Sequence, residues 1–167
     1  YLERTGVMNV LDYQIARDAM EPVVAIFIKP ERRNAEYMLN DLYVDFVVKE
    51  LVPLVDDKVS THRDASRRCS IGISLGALIS GHIVTRRPDV FGLLGSQSGV
   101  FFREDRAVLR AFQDEKPDLT RAYLEAGLYE YEAIASTREL AALLKEQEQE
   151  YLFREISSGH NWTMWRN

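Results

Sequence analysis

Residues 67–86 read RRCSIGISLGALISGHIVTR, and this stretch decides the fold. A short β-like run (Cys69, Ile71, Ile73) enters Gly72-Ile73-Ser74-Leu75-Gly76, and a helix-like run, Ala77–Thr85, leaves it. A G-x-S-x-G sequence between strand and helix is a nucleophile elbow, in which a strained turn lifts the serine hydroxyl above the sheet edge. Gly72 and Gly76 are expected where strand and helix backbones pass too close for a Cβ. The N–H of Leu75, at the helix start, is the candidate for half of an oxyanion hole. The three fixed positions alone would match by chance in roughly one chain in twenty of this length. The strand before and the helix after give the match its weight.

Working outward, strands and helices alternate. Before the elbow, Val7–Met20 has apolar residues at helical spacing, and Glu21-Pro22 is expected to stop that helix. Val23–Ile28 (VVAIFI) has the continuous β-branched and aromatic character of a strand buried on both faces. A polar loop, Lys29–Glu36, follows. Asn40-Asp41 caps a predicted helix reaching about Val55, with Leu42, Phe46, Val47, Leu51 and Leu54 as its apolar face. Asp56–Arg68 is a polar connection.

After the elbow helix, Phe91–Gly95 reads as a strand opening into Ser96-Gln97-Ser98-Gly99, and a helix is expected over 103–114. Ala122–Ala126 is a further strand, Ser136 caps a predicted helix Thr137–Gln149, and Tyr151–Ile156 is the last strand. The alternation predicts an α/β fold, a mostly parallel sheet with helices on both faces. In such sheets reactive groups gather beyond the carboxyl ends of the strands. Ser74, Gln97, Glu130 and His160 each fall just after a predicted strand.

The remaining composition excludes more than it assigns. The 167 residues suit one domain, 1–167, and their net charge of -5 argues against a nucleic-acid surface. No apolar run has the length of a membrane span. Cys69 is the single cysteine, expected as an inert packing residue in a buried strand. No internal disulfide can form and nothing marks an oxidising compartment, so a cytoplasmic location is the expectation.

A serine hydroxyl needs a base to become a nucleophile at neutral pH. Of the three histidines, His62 lies in a loop before the elbow and His82 two helical turns beyond Ser74. His160 follows the last strand behind Gly159, where a loop can fold it over the serine, and is the candidate base. Glu130 and Glu132 follow the strand at 122–126 and are candidates for the acid that orients the imidazole, with Glu130 preferred. Tyr129 and Tyr131 are expected to pack rather than react. Trp162 and Trp165 either wall an acyl or aromatic pocket or anchor the chain end on the core.

Together these residues resemble the putative-esterase family of α/β-hydrolases, which includes enterochelin esterases, feruloyl esterases and mycolyltransferases. The matching pieces are Arg33–Tyr37, Phe46–Leu54, Gly72–Gly76, Ser96–Gly99, Gly127–Glu130 and Gly159–Arg166. The resemblance implies an α/β-hydrolase three-layer sandwich with Ser74 as nucleophile, His160 as base and Glu130 as acid. A small-molecule ester substrate is expected, with Gln97 beyond its strand end and Trp162 near His160 as candidate substrate-binding residues, and the mechanism needs neither metal nor organic cofactor. Acyl transfer to an alcohol would use the same residues, and an inactive interaction module is the alternative of a different class.

Family members carry three strands before the first one read here, and in the sheet the third lies between Val23–Ile28 and Cys69–Ile73. Its following loop supplies their second oxyanion donor. The expectation is therefore an N-terminally truncated domain, the C-terminal portion of a longer protein, whose exposed sheet edges could self-associate.

Overall fold

The computed structural model describes residues 2–166. Its centre is a four-stranded parallel sheet of order β1-β2-β3-β4: β1 Cys69–Ile73, β2 Leu93–Gln97, β3 Arg121–Gly127 and β4 Tyr151–Ile156. Parallel neighbours need a crossover, and each one carries a helix. These are α6 (Leu75–Arg86), α7 (Ala107–Asp114) and α8 (Tyr131–Glu146). α6 packs on β1 and β2, α8 on β3 and β4, and α7 bridges the two helices.

The core lies between this helical layer and the sheet face that carries Leu94, Ala122 and Leu124, all at most 2% exposed. Leu78, Val84, Val108, Phe112, Leu140 and Leu144 close it from the helix side. On the opposite face Ile71, Gly95, Tyr123 and Leu152 form one cross-strand row, in which Ile71 is 60% and Leu152 56% exposed. Among the described residues β1 has no partner on its outer edge. That edge position explains Cys69, which is exposed rather than buried.

Upstream of the sheet lie α1 (Leu2–Thr5), α2 (Val7–Ala16), α3 (Arg33–Tyr37), α4 (Asp41–Asp45) and α5 (Val52–Lys58). α2 stops four residues earlier than its spacing suggests, with Asp18 in the left-handed region at φ 56°, and buries none of its residues. The strand expected at Val23–Ile28 does not form. That run is irregular, and Val23, Val24, Ile26, Phe27 and Ile28 are all exposed. Strand character is a property of a ladder, and the run meets no neighbouring strand among the described residues. The short helix α3 occupies part of the expected polar loop.

Asn40 caps α4 as expected, its Oδ1 accepting from the Leu42 N–H at 2.9 Å. The helix continues through a π-helical segment, Phe46–Leu51, into α5. Pro53 lacks a donor and crowds the preceding turn, and the ladder widens directly before it. The buried face is Tyr43, Val44, Val47 and Val48, whereas Leu42 and Leu54 are 77% and 54% exposed. Both faces of this helix are apolar enough to pass for the inner one, so periodicity alone chose between them poorly. Downstream, Arg68 pairs with Asp56 at 2.6 Å, tying the end of α5 to the start of β1. The Thr61 hydroxyl, with Arg68, holds the Asp56 carboxyl below its ordinary range.

Three further boundaries moved. β2 begins two residues later than the FGLLG run, because the Phe91 N–H donates to the Arg87 carbonyl and the Gly92 N–H to the Ala65 carbonyl, outside the strand ladder. In the 103–114 helix only α7 is regular, after a 3-10 turn at Glu104–Arg106. α8 starts at Tyr131, and Ser136 is a buried mid-helix residue whose hydroxyl donates to the Ala133 carbonyl rather than a cap.

Candidate active site

The elbow is built as its sequence requires. Ser74 sits between β1 and α6 at φ 58° and ψ -118°, a backbone conformation that side-chain-bearing residues adopt only under constraint. The constraint is visible: the Ser74 N–H donates to the Gln97 carbonyl at 2.9 Å, and the Ser74 carbonyl accepts from Ala77 and Leu78. A Cβ on Gly72 would lie 2.2 Å from the Gly76 backbone, so strand and helix cross there only because residue 72 is glycine. Gly76 is a different case, since a Cβ there would meet only the Tyr37 ring at 3.9 Å. Gly72→Ala is therefore expected to cost about 1–3 kcal/mol or more in urea unfolding. Gly76→Ala should stay within about 1 kcal/mol of the parent protein. Equal effects of the two substitutions would contradict this asymmetry.

The other two loops are brought over Ser74 by main-chain hydrogen bonds. Leu128 N–H donates to the Ile156 carbonyl at 2.8 Å and Tyr129 N–H to the Ser158 carbonyl at 3.1 Å, so the β3 and β4 exits run together. Gly127 permits this approach; a Cβ there would stand 2.3 Å from the Ser158 carbonyl oxygen. Asn161 closes the second loop, donating to the Gly159 carbonyl and capping α9 (Trp162–Trp165) through the Met164 N–H.

The result is a continuous relay. His160 Nε2 lies 3.0 Å from Ser74 Oγ, and His160 Nδ1 lies 3.0 Å from Glu130 Oε2. Glu130 is buried, and its Oε1 accepts from Ser98 Oγ at 2.8 Å and from the Gly127 N–H at 3.3 Å. The imidazole is 44% exposed and open to an incoming molecule, whereas the carboxylate behind it is 3% exposed. Leu75 is the first residue of α6, so its N–H has no partner within the helix and stands at the positive end of the dipole.

Ser74, His160 and Glu130 thus meet, and the other candidates do not join them. Glu132 is exposed on the first turn of α8. His62 is exposed in its loop, and His82 Nε2 engages Asp41 at 2.9 Å. Tyr129 and Tyr131 are 64% and 81% exposed, so they do not pack as expected. The Gln97 amide nitrogen donates to Glu125 Oε1 at 2.9 Å and to the Trp165 carbonyl at 3.3 Å. Beside it the Tyr123 hydroxyl donates to Glu125, and burial, followed by that carboxylate, pushes the phenol up to about 12. Trp162 is half-buried, edge-on to the buried Trp165 with ring centres 5.2 Å apart, and the Arg4 guanidinium lies over its ring. Ser98, which the sequence marked only as small and polar, is the buried donor to Glu130; its position beyond a strand end was the available signal. Among the described residues no cluster of His, Cys, Asp and Glu is arranged to hold a metal ion.

A parallel sheet with crossover helices and an elbow at the end of one strand defines the α/β-hydrolase class of fold. The chain belongs to the family described as Putative esterase, whose profile matches residues 1–167. Two Bacillus subtilis proteins are related: YbbA is 28% identical over 136 residues, covering 72% of this chain and 54% of YbbA. YjcH is 31% identical over 150 residues, covering 81% of this chain and 61% of YjcH. The chain thus spans little more than half the length of these curated relatives. Enterochelin esterase from Shigella flexneri superposes with a TM-score of 0.83 at 25% identity, over 94% of this chain and 43% of that one.

Proposed function

We propose that this chain carries the catalytic residues of a serine carboxylic-ester hydrolase working through an acyl-enzyme. The observation that carries the reading is the unbroken run Ser74 Oγ–His160 Nε2, His160 Nδ1–Glu130 Oε2, each at 3.0 Å, on an elbow serine at positive φ. His160 takes the proton as Ser74 Oγ attacks the ester carbonyl carbon. Glu130 holds the imidazole in the tautomer with Nδ1 protonated and stabilises the cation that forms. The Leu75 N–H donates to the developing oxyanion, a contribution worth about 10²–10³ in rate for one such donor in a comparable hydrolase.

Collapse of the tetrahedral intermediate expels the alcohol, to which His160 returns the proton. His160 then draws a proton from water, whose oxygen attacks the acyl-enzyme. The acid leaves and Ser74 regains its hydrogen. The substrate is a small-molecule ester of the kind enterochelin esterases cleave, a reading supported by the likeness to that enzyme and by family membership. Trp162, edge-on to the Trp165 ring that meets the imidazole, is assigned to the wall against which the acyl or aromatic portion rests. Gln97, whose amide nitrogen donates to Glu125 and to the Trp165 carbonyl, is read as held in place beside this wall.

With p-nitrophenyl acetate the chain should release p-nitrophenolate in turnover, and Ser74→Ala should lower kcat by about 10⁴-fold or more. Hydrolysis that survives Ser74→Ala at more than a tenth of the parent rate would overturn the assignment.

A further inference from the structure

Ser98 is costly to the fold in two ways. It is fully buried, and its backbone stands in the left-handed region at φ 51°, although glycine, the residue suited to that region, comes only at the next position. Strain of this kind persists where surrounding structure over-determines it, and it clusters at functional sites. What holds Ser98 is plain: its N–H donates to the Glu125 carbonyl at 2.8 Å, its hydroxyl donates to Glu130 Oε1 at 2.8 Å, and that hydroxyl accepts from Trp165 Nε1 at 2.8 Å.

The direction of these bonds follows from chemistry. An indole N–H can only donate, and a carboxylate can only accept. With Trp165 donating to Ser98 Oγ, the Ser98 hydrogen is turned onto Glu130 Oε1. That leaves Oε2 as the oxygen presented to His160 Nδ1. Successive donation also polarises each bond in the chain. Trp165 contributes a second constraint, since its ring meets the His160 ring edge-on at 4.8 Å between centres. Its carbonyl is in turn held by Gln97.

We propose that Ser98 and Trp165 are positioning residues: they fix the Glu130 carboxylate, and through it the His160 imidazole, so that α9 clamps the relay from behind. This rests on the serine-esterase reading above. Neither residue touches the reacting atoms: Ser98 acts through Glu130, and Trp165 acts through Ser98 and through its edge contact with the His160 ring.

The test compares Ser98→Ala, Ser98→Gly, Trp165→Phe and the Ser98→Ala/Trp165→Phe pair in the full chain. Two readouts are used: kcat and KM for p-nitrophenyl acetate, and the downfield proton resonance of His160 Nδ1–H. Ser98→Gly removes the hydroxyl while relaxing the positive φ, and a thermal melt of each variant separates a folding defect from the kinetic effect. Trp165→Phe keeps an aromatic ring beside His160 and removes the indole donor together with part of the ring system. Expected are an about tenfold fall in kcat for either Ser98 variant and a smaller fall for Trp165→Phe. KM should stay within about twofold, and the resonance should broaden or move upfield in each variant. The double variant should match Ser98→Ala, because the indole acts through the hydroxyl. Unchanged kcat and resonance in folded Ser98→Gly and Trp165→Phe would overturn the proposal, as would fully additive losses in the double variant. A parent protein without turnover at Ser74 would sink the esterase reading instead, and the resonance would still decide the clamp.

Discussion

Replacing His160 by alanine is expected to lower kcat for an aryl ester by about 10⁴–10⁶-fold while leaving the fold intact. His160 Nε2 is placed 3.0 Å from Ser74 Oγ. No second histidine can substitute, since His82 is engaged by Asp41 and His62 is exposed in the loop before β1. Without a base the hydroxyl stays protonated, and what remains is the contribution of the oxyanion donor and of binding. The stability cost should be modest, because the 44% exposed imidazole loses its edge contact with Trp165, worth about 1 kcal/mol, and its hydrogen bond to Glu130 Oε2, whose other oxygen keeps two donors. Steady-state kinetics beside a thermal melt separate the two effects. An unchanged melt with kcat within tenfold of the parent would remove His160 from the reaction.

Glu130→Gln should cost about 10⁴-fold in kcat, for a reason particular to this site. Two donors, the Ser98 hydroxyl and the Gly127 N–H, converge on Oε1. In the amide they select the carbonyl oxygen for that position and turn the NH2 group toward His160 Nδ1. An NH2 facing Nδ1 makes that nitrogen an acceptor and places the ring proton on Nε2, where it cannot receive the Ser74 proton. The substitution thus inverts the tautomer with little change of shape. Glu132→Gln, on the exposed start of α8, is expected to stay within twofold of the parent. Comparable losses at the two positions would show that bulk charge, rather than this orientation, matters.

Much of the site was legible because its signals are local. Gly72, Ser74 and Leu75 lie within one strand-turn-helix unit, and Ser74, Glu130 and His160 each follow a strand whose end a parallel sheet aligns. Choosing Glu130 over Glu132 needed more: the turn after Gly127 buries one carboxylate and leaves the other in solvent. The part played by Ser98 and Trp165 was not legible, since their bond spans 67 positions and depends on where α9 lands. Val23–Ile28 shows the opposite limit. Its residues favour a strand, but a strand needs a neighbour to hydrogen-bond, and composition does not tell whether one is there. The inner face of the α4–α5 helix is hidden from periodicity for a related reason, because packing chooses between two apolar faces.

The central claim, that Ser74 is an activated nucleophile in this chain, is tested most directly by intact-mass analysis after exposure of the folded protein to a fluorophosphonate. The account predicts a single adduct on the parent protein and none on Ser74→Ala. A folded parent protein that stays unmodified, or a Ser74→Ala variant that is modified equally, would contradict it.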